Sequence, residues 1–207
     1  MYHVINRAVA RLALFEKDAD YEAFERVLEE AMEKHPTRLL SYLVMPNHWH
    51  MLIWPRQEGE LTEFVRWLTH THVMRWHAHF GTSGSGHLYQ GRFKSFPVQT
   101  DEHFYTIARY VERNAQRAKL VARAEEWRWS SLWRRVSGGP DARRLLHRWP
   151  LPEPADWLAH VNRPQTEGEL NALRSFGTSQ WQARTAKHLG LQWTLRPRGR
   201  PRQRKEE

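Results

Sequence analysis

The sequence predicts an α+β domain: a ferredoxin-like split β-α-β antiparallel sheet with helices on one face, followed by a small helical C-terminal extension. Three observations carry this reading. Segments of strand and helix character follow one another in the order β-α-β-β-α-β-α. Pro46-Asn47 separates two apolar runs and reads as the tight turn of an antiparallel hairpin. The second of those runs, Met51 to Trp54, continues directly from His48-Trp49-His50, as a buried central strand would.

In order, the chain opens with a strand over 2–9 and a helix over 18–34. The apolar run Leu39 to Val44 lies in a strand over 38–46, which the turn joins to a strand over 48–54. A helix over 60–80 comes next, and the loop Gly81-Thr82-Ser83-Gly84-Ser85-Gly86 leads to a strand over 88–98. Phe104, Ile107, Ala108, Val111 and Ala115 then recur at helical spacing, which places a helix over 101–118, with Thr100 or Asp101 able to cap its start. Together these form a first domain over 1–135. Between 136 and 165 five prolines interrupt the pattern, so that stretch reads as an extended linker lying over the domain, pinned by Trp149 and Trp157. Residues 166–195 hold two short helices, Thr166 to Ser175 and Thr178 to Leu189, and residues 196–207 form a basic tail.

The chain has 207 residues and a net charge of +9 from 32 Lys and Arg against 23 Asp and Glu, a balance that suits a polyanionic partner. It has no cysteine, which excludes disulfides and thiolate metal sites and fits a reducing compartment. No apolar run approaches the ~20 residues of a membrane span, and the opening segment reads as strand rather than signal peptide. A soluble, cytoplasmic and nucleoid-associated protein is expected, with no membrane partner.

In a strand, side chains alternate between faces, so His48 and His50 project together and Trp49 points the other way. That is half a metal site, but the spacing by itself more readily suits a pair of exposed histidines on a sheet. On the helix over 101–118, Tyr110 and Asn114 stand at i and i+4 and share a face beside the apolar stripe. Alone, they also read as a core-margin tyrosine and a helix-end amide.

Five ordered motifs turn these fragments into a resemblance: Tyr2-His3-Val4-Ile5-Asn6-Arg7, Met45-Pro46-Asn47-His48-Trp49-His50, Tyr89-Gln90-Gly91-Arg92-Phe93-Lys94-Ser95, Tyr110-Val111-Glu112-Arg113-Asn114 and Trp127-Arg128-Trp129-Ser130-Ser131. From Tyr2 to about Trp133, and again near the C-terminus, the chain resembles the HUH single-tyrosine transposases, among them the REP-associated tyrosine transposases. The resemblance implies that His48, His50 and Asn114 bind a divalent ion, Mg2+ or Mn2+, and that Tyr110 is the nucleophile. It further implies attack on single-stranded or hairpin DNA at repetitive extragenic palindromes, leaving a 5′-phosphotyrosine and a free 3′-hydroxyl. Ala115 follows Asn114 where many relatives have proline.

The chemistry is consistent with that set. Only about one phenol in a thousand is ionised at neutral pH, so a divalent ion that polarises the phosphate and aligns it for in-line attack offsets the deficit. Tyr105, on the same helix, is followed four residues on by Arg109, a cation that cannot ligate a metal. Four other histidines, His70, His72, His77 and His79, read as a solvated or DNA-facing surface of the helix over 60–80.

DNA contacts are expected from Arg92 and Lys94, which alternate with Phe93 and so share a face of the last strand, and from Arg113. The alternative for the strand pair is an ordinary basic surface. In the C-terminal helices Gln180, Gln182, Arg184 and Lys187 fit either a helix-turn-helix that contacts a groove or an αα-hairpin docked on the domain. Arg198, Arg200 and Arg202 lie around Arg198-Gly199-Arg200-Pro201, which resembles the core of an AT-hook and equally suits a solvated basic tail. Exposed tryptophans such as Trp76 or Trp133 offer platforms for unpaired bases. Two other classes compete with a transposase: a catalytically silent DNA-binding regulator, and a replication-initiator or relaxase type of HUH endonuclease. The oligomeric state, monomer or homodimer, is left open.

Overall fold

The computed structural model describes residues 1–99, 102–166 and 184. Its strands are β1 (Tyr2–Arg7), β2 (Leu39–Met45), β3 (His48–Ile53) and β4 (Lys94–Pro97). Its helices are α1 (Asp18–Lys34), α2 (Glu60–Phe80), α3 (Glu102–Arg117), α4 (Ser131–Val136), α5 (Pro140–Arg143) and α6 (Trp157–Asn162). The four strands form one sheet in the order β2-β3-β1-β4, with every neighbouring pair antiparallel. Each crossover, β1-α1-β2 and β3-α2-β4, therefore leaves one strand between its parallel partners, which is the split β-α-β arrangement. Pro46 and Asn47 join β2 to β3 as a two-residue turn, because Met45 pairs with His48.

α1 and α2 pack on one face of the sheet, as expected. Phe24, Val27, Leu28 and Ala31 of α1 and Phe64, Val65 and Leu68 of α2 meet Val4, Tyr42, Val44, Trp49, Met51 and Ile53 there. The third helix takes the other face: Phe104, Ile107, Ala108, Val111 and Ala115 of α3 cover Leu43, Met45 and Leu52. Helices therefore lie on both faces rather than one. The cause is legible in β2 and β3, whose residues are buried without alternation and so need cover on each side.

Beyond 135, Trp149, Leu151, Trp157 and Val161 lie against this second layer. Trp149 donates to the Leu40 carbonyl at 2.9 Å, and Trp157 donates to Glu112 Oε2 at 2.8 Å. Glu112 is fully buried and also accepts from Ser41 Oγ at 3.1 Å, Ser131 Oγ at 2.9 Å and the Arg135 guanidinium. One carboxylate thus fastens α3 to β2, α4 and α6.

Three sequence expectations are corrected here. The last strand is β4, Lys94–Pro97, not 88–98: Gly91 has φ +144°, and before it only Tyr89 bridges to Ala8. His72 is not solvated. It is buried, with Phe15 and Phe24 against its ring, and its Nδ1 lies 2.8 Å from the Tyr89 hydroxyl, which accepts from Trp49 Nε1 at 3.0 Å. Nor does Trp76 stand free: it is half-buried and donates to the Leu14 carbonyl at 3.2 Å. Among the described residues no helix is long and apolar enough to cross a membrane.

Candidate active site

The α3 face of the sheet gathers the polar chemistry. Strand register puts Arg7 opposite His48, and Ile5 opposite both His50 and Lys94, so these side chains project to one face together with His3. The rings of His48 and His50 are 5.0 Å apart. From α3, Tyr110 sets its ring edge-on to His50 at 5.6 Å and to His3 at 6.0 Å. One turn further on, Asn114 Nδ2 lies 3.2 Å from His50 Nε2. Next along the same helical face, the Arg117 guanidinium lies 5.7 Å from the centre of the Tyr110 ring.

The imidazoles are kept neutral. Burial lowers the pKa of His50 well below its ordinary 6.5, helped by repulsion from His3, His48, Arg7 and Arg117. His48 is pushed down to about 4, mainly by burial and then by Arg7, and His3 to about 4, by burial and then by His103. Neutral imidazole is the form that ligates a metal.

The donor set fits a divalent ion. His48 Nδ1 is 2.6 Å from Asn47 Oδ1, and His50 Nδ1 is 2.9 Å from His3 Nε2. Each ring is thus anchored through Nδ1, with Nε2 turned to the site, which is the usual division of labour at a metal-bound histidine. Asn114 offers its Oδ1 after rotation of the carboxamide. Among the described residues no group of three or more His, Cys, Asp or Glu side chains is placed to hold a metal. Two imidazoles and an amide instead suit a borderline divalent ion such as manganese, with room left for water and phosphate oxygens.

The other expected residues scatter. Lys94 is exposed and shares the His50 rung, but Arg92 precedes β4, so the argument that the two share a strand face fails. Arg113 Nη1 donates to Gln116 Oε1 and to the Val161 carbonyl, both at 2.7 Å, which ties α6 to α3. Arg184 is exposed. Lys187, Arg198, Arg200 and Arg202 lie outside the described residues, as do the rest of the expected C-terminal helices past Thr166, the tail, and Thr100 and Asp101. Tyr105 donates to the Pro152 carbonyl at 2.7 Å and packs on Phe104, Trp149 and Trp157, well occupied by structure. Sequence reasoning missed His3, Arg7 and Arg117. A period-two reading of His3, Ile5 and Arg7 would have put the first strand's polar residues on one face, though not opposite the His pair.

Residues 1–114 match a family model described as IS200-like transposases. Among solved structures, the chain is similar to a REP-associated tyrosine transposase bound to a REP hairpin, at 19% identity and a TM-score of 0.50, over 73% of this chain and 84% of that one. A likeness at this identity speaks for the fold. A putative transposase from Deinococcus radiodurans R1 is similar at 18% identity and a TM-score of 0.41, over 57% of this chain and 83% of that one. No curated protein matches the chain.

Proposed function

We propose, from the premise that this chain belongs to the IS200-like transposases, that it is a metal-dependent nuclease and strand-transfer enzyme acting on single-stranded or hairpin DNA. The observation that carries the reading is the convergence of Tyr110 and Asn114 of α3 on His50, beside His48, at a face lined with Arg7, Lys94 and Arg117.

In this reading the Tyr110 phenol loses its proton and its oxygen attacks the phosphorus of a DNA phosphodiester. The bond to the 3′ oxygen breaks, giving a 5′-phosphotyrosine and a 3′-hydroxyl that takes up a proton. Attack of a 3′-hydroxyl on that phosphotyrosine rejoins DNA and frees the phenol. His48 and His50, through Nε2, and Asn114, through Oδ1, would hold Mg2+ or Mn2+, which supplies charge neutralisation and alignment at the phosphate when bound. Arg7, Lys94 and Arg117 add positive charge at the same face, and α3, fixed through Glu112, limits the travel of the phenol. A solved neighbour that carries a REP hairpin supports a palindromic hairpin as the substrate class and a DNA-associated place in the cell.

Incubating the full chain and Mn2+ with a hairpin oligonucleotide labelled at its 5′ or its 3′ end tests this directly. The expected result is a denaturation-resistant adduct with the 3′-labelled strand, lost in excess EDTA and in His48→Ala. Hairpin binding with no adduct under any metal would indicate a silent DNA-binding regulator instead.

A further inference from the structure

We propose that His3 is a positioning residue for His50: by accepting the His50 Nδ1 proton it fixes Nε2 as the nitrogen presented to Asn114 and to a metal ion. One hydrogen bond sets the tautomer of His50 and a second accommodates it. The Asn114 Nδ2 group, 3.2 Å from His50 Nε2, can only donate, so Nε2 accepts and the ring proton sits on Nδ1. That proton has an acceptor at 2.9 Å, His3 Nε2, and the two rings stack with an interplanar angle of 12°. His3 and His50 are both buried, 8% and 1% exposed, so water is a poor substitute for this contact. His3 can accept at Nε2 only as its Nδ1–H tautomer.

The sheet explains why β1 supplies the acceptor. His3 pairs with Leu52, one residue pair along the same face from the Ile5–His50 pair, and the diagonal between neighbouring strands brings its ring beside His50. His48 takes its own anchor from the adjacent turn residue, Asn47. His50, in mid-strand, has no turn beside it and draws on the neighbouring strand.

The metal part of this inference rests on the proposed function; the tautomer part does not. Two readouts on the full chain separate them: long-range 1H–15N NMR of the His50 ring without metal, and Mn2+ affinity by electron paramagnetic resonance. The wild type should show His50 protonated at Nδ1. His3→Leu should shift His50 to the Nε2–H form, with Asn114 turned to accept through Oδ1, and weaken Mn2+ binding about 10- to 100-fold. His3→Gln, whose Oε1 restores an acceptor, should recover most of both. Wild-type His50 protonated at Nε2 would overturn the proposal even if His3→Leu failed to fold, as would a folded His3→Leu with unchanged tautomer and affinity. A wild type that binds no Mn2+ but keeps the Nδ1–H form would retain the role of His3 and remove the metal reading.

Discussion

Acid should loosen this protein from the side of the sheet opposite the candidate active site, through His72. Burial against Phe15 and Phe24 holds the His72 pKa down to about 3, against an ordinary 6.5. The unfolded chain therefore binds a proton below pH 6.5 that the folded chain refuses until about pH 3, so the stability from neutral His72 is full above 6.5 and falls as pH drops. Between pH 7.5 and pH 5 this one group costs about 2 kcal/mol of unfolding free energy. Asp20, Arg75 and His79 line the same cavity of about 260 Å³, so charge on any of them shades the figure. Urea unfolding followed by tryptophan fluorescence at the two pH values, in the wild type and His72→Phe, isolates the effect, because other titrating groups act in both. Wild type should lose about 2 kcal/mol more than the variant over that interval. Parallel losses would refute the argument and show that His72 is protonated in place or open to water.

Tyr110→Phe should keep fold and DNA binding yet form no covalent adduct, whereas Tyr105→Phe, whose hydroxyl serves the Pro152 carbonyl, should still form one; the reverse pattern on a labelled-hairpin gel would move the nucleophile. Glu112→Ala strands Arg135, Trp157 and two serines and should destabilise by about 3–5 kcal/mol in urea unfolding; a loss under 1 kcal/mol would mean that the carboxylate is dispensable. Deleting residues from 166 onward should lower hairpin affinity and reduce the log-log salt slope by about one per lost phosphate contact, while slow cleavage of a short unpaired oligonucleotide survives; full affinity and discrimination after deletion would place recognition in residues 1–165.

How much of this was legible in the sequence depended on whether the deciding interaction was local. α1 and α2 coincide with their expected spans, 18–34 and 60–80, and the Pro46-Asn47 turn sets the β2-β3 register within a few residues of chain. The Tyr110–Asn114 pairing is likewise local to one helix. His3 was not legible as a partner of His50, because the β1-β3 register is settled by contacts between segments 47 residues apart. His72 was misjudged for the same reason: the residue that claims it, Tyr89, arrives from the loop before β4. The overlong last strand was a different error, since Gly91 turns the chain where composition alone still reads as strand.

These cases meet in β3, where one strand serves two networks of opposite character. Trp49, on the α1-α2 face, donates to Tyr89, whose hydroxyl can in turn donate to His72, so the strand is hydrogen-bonded to α2 through a buried relay. His48 and His50, on the α3 face, are anchored through Asn47 and His3 with their Nε2 atoms left to the site. A slip of one residue in β3 would exchange the faces, burying both imidazoles among Phe24 and Phe64 and turning the indole toward Tyr110. The Trp49 relay thus opposes that slip from the far side of the sheet, and its position between the two histidines follows from this. The pairing of His48 and His50 on one face depends on register, and the tryptophan side of the motif helps to hold it.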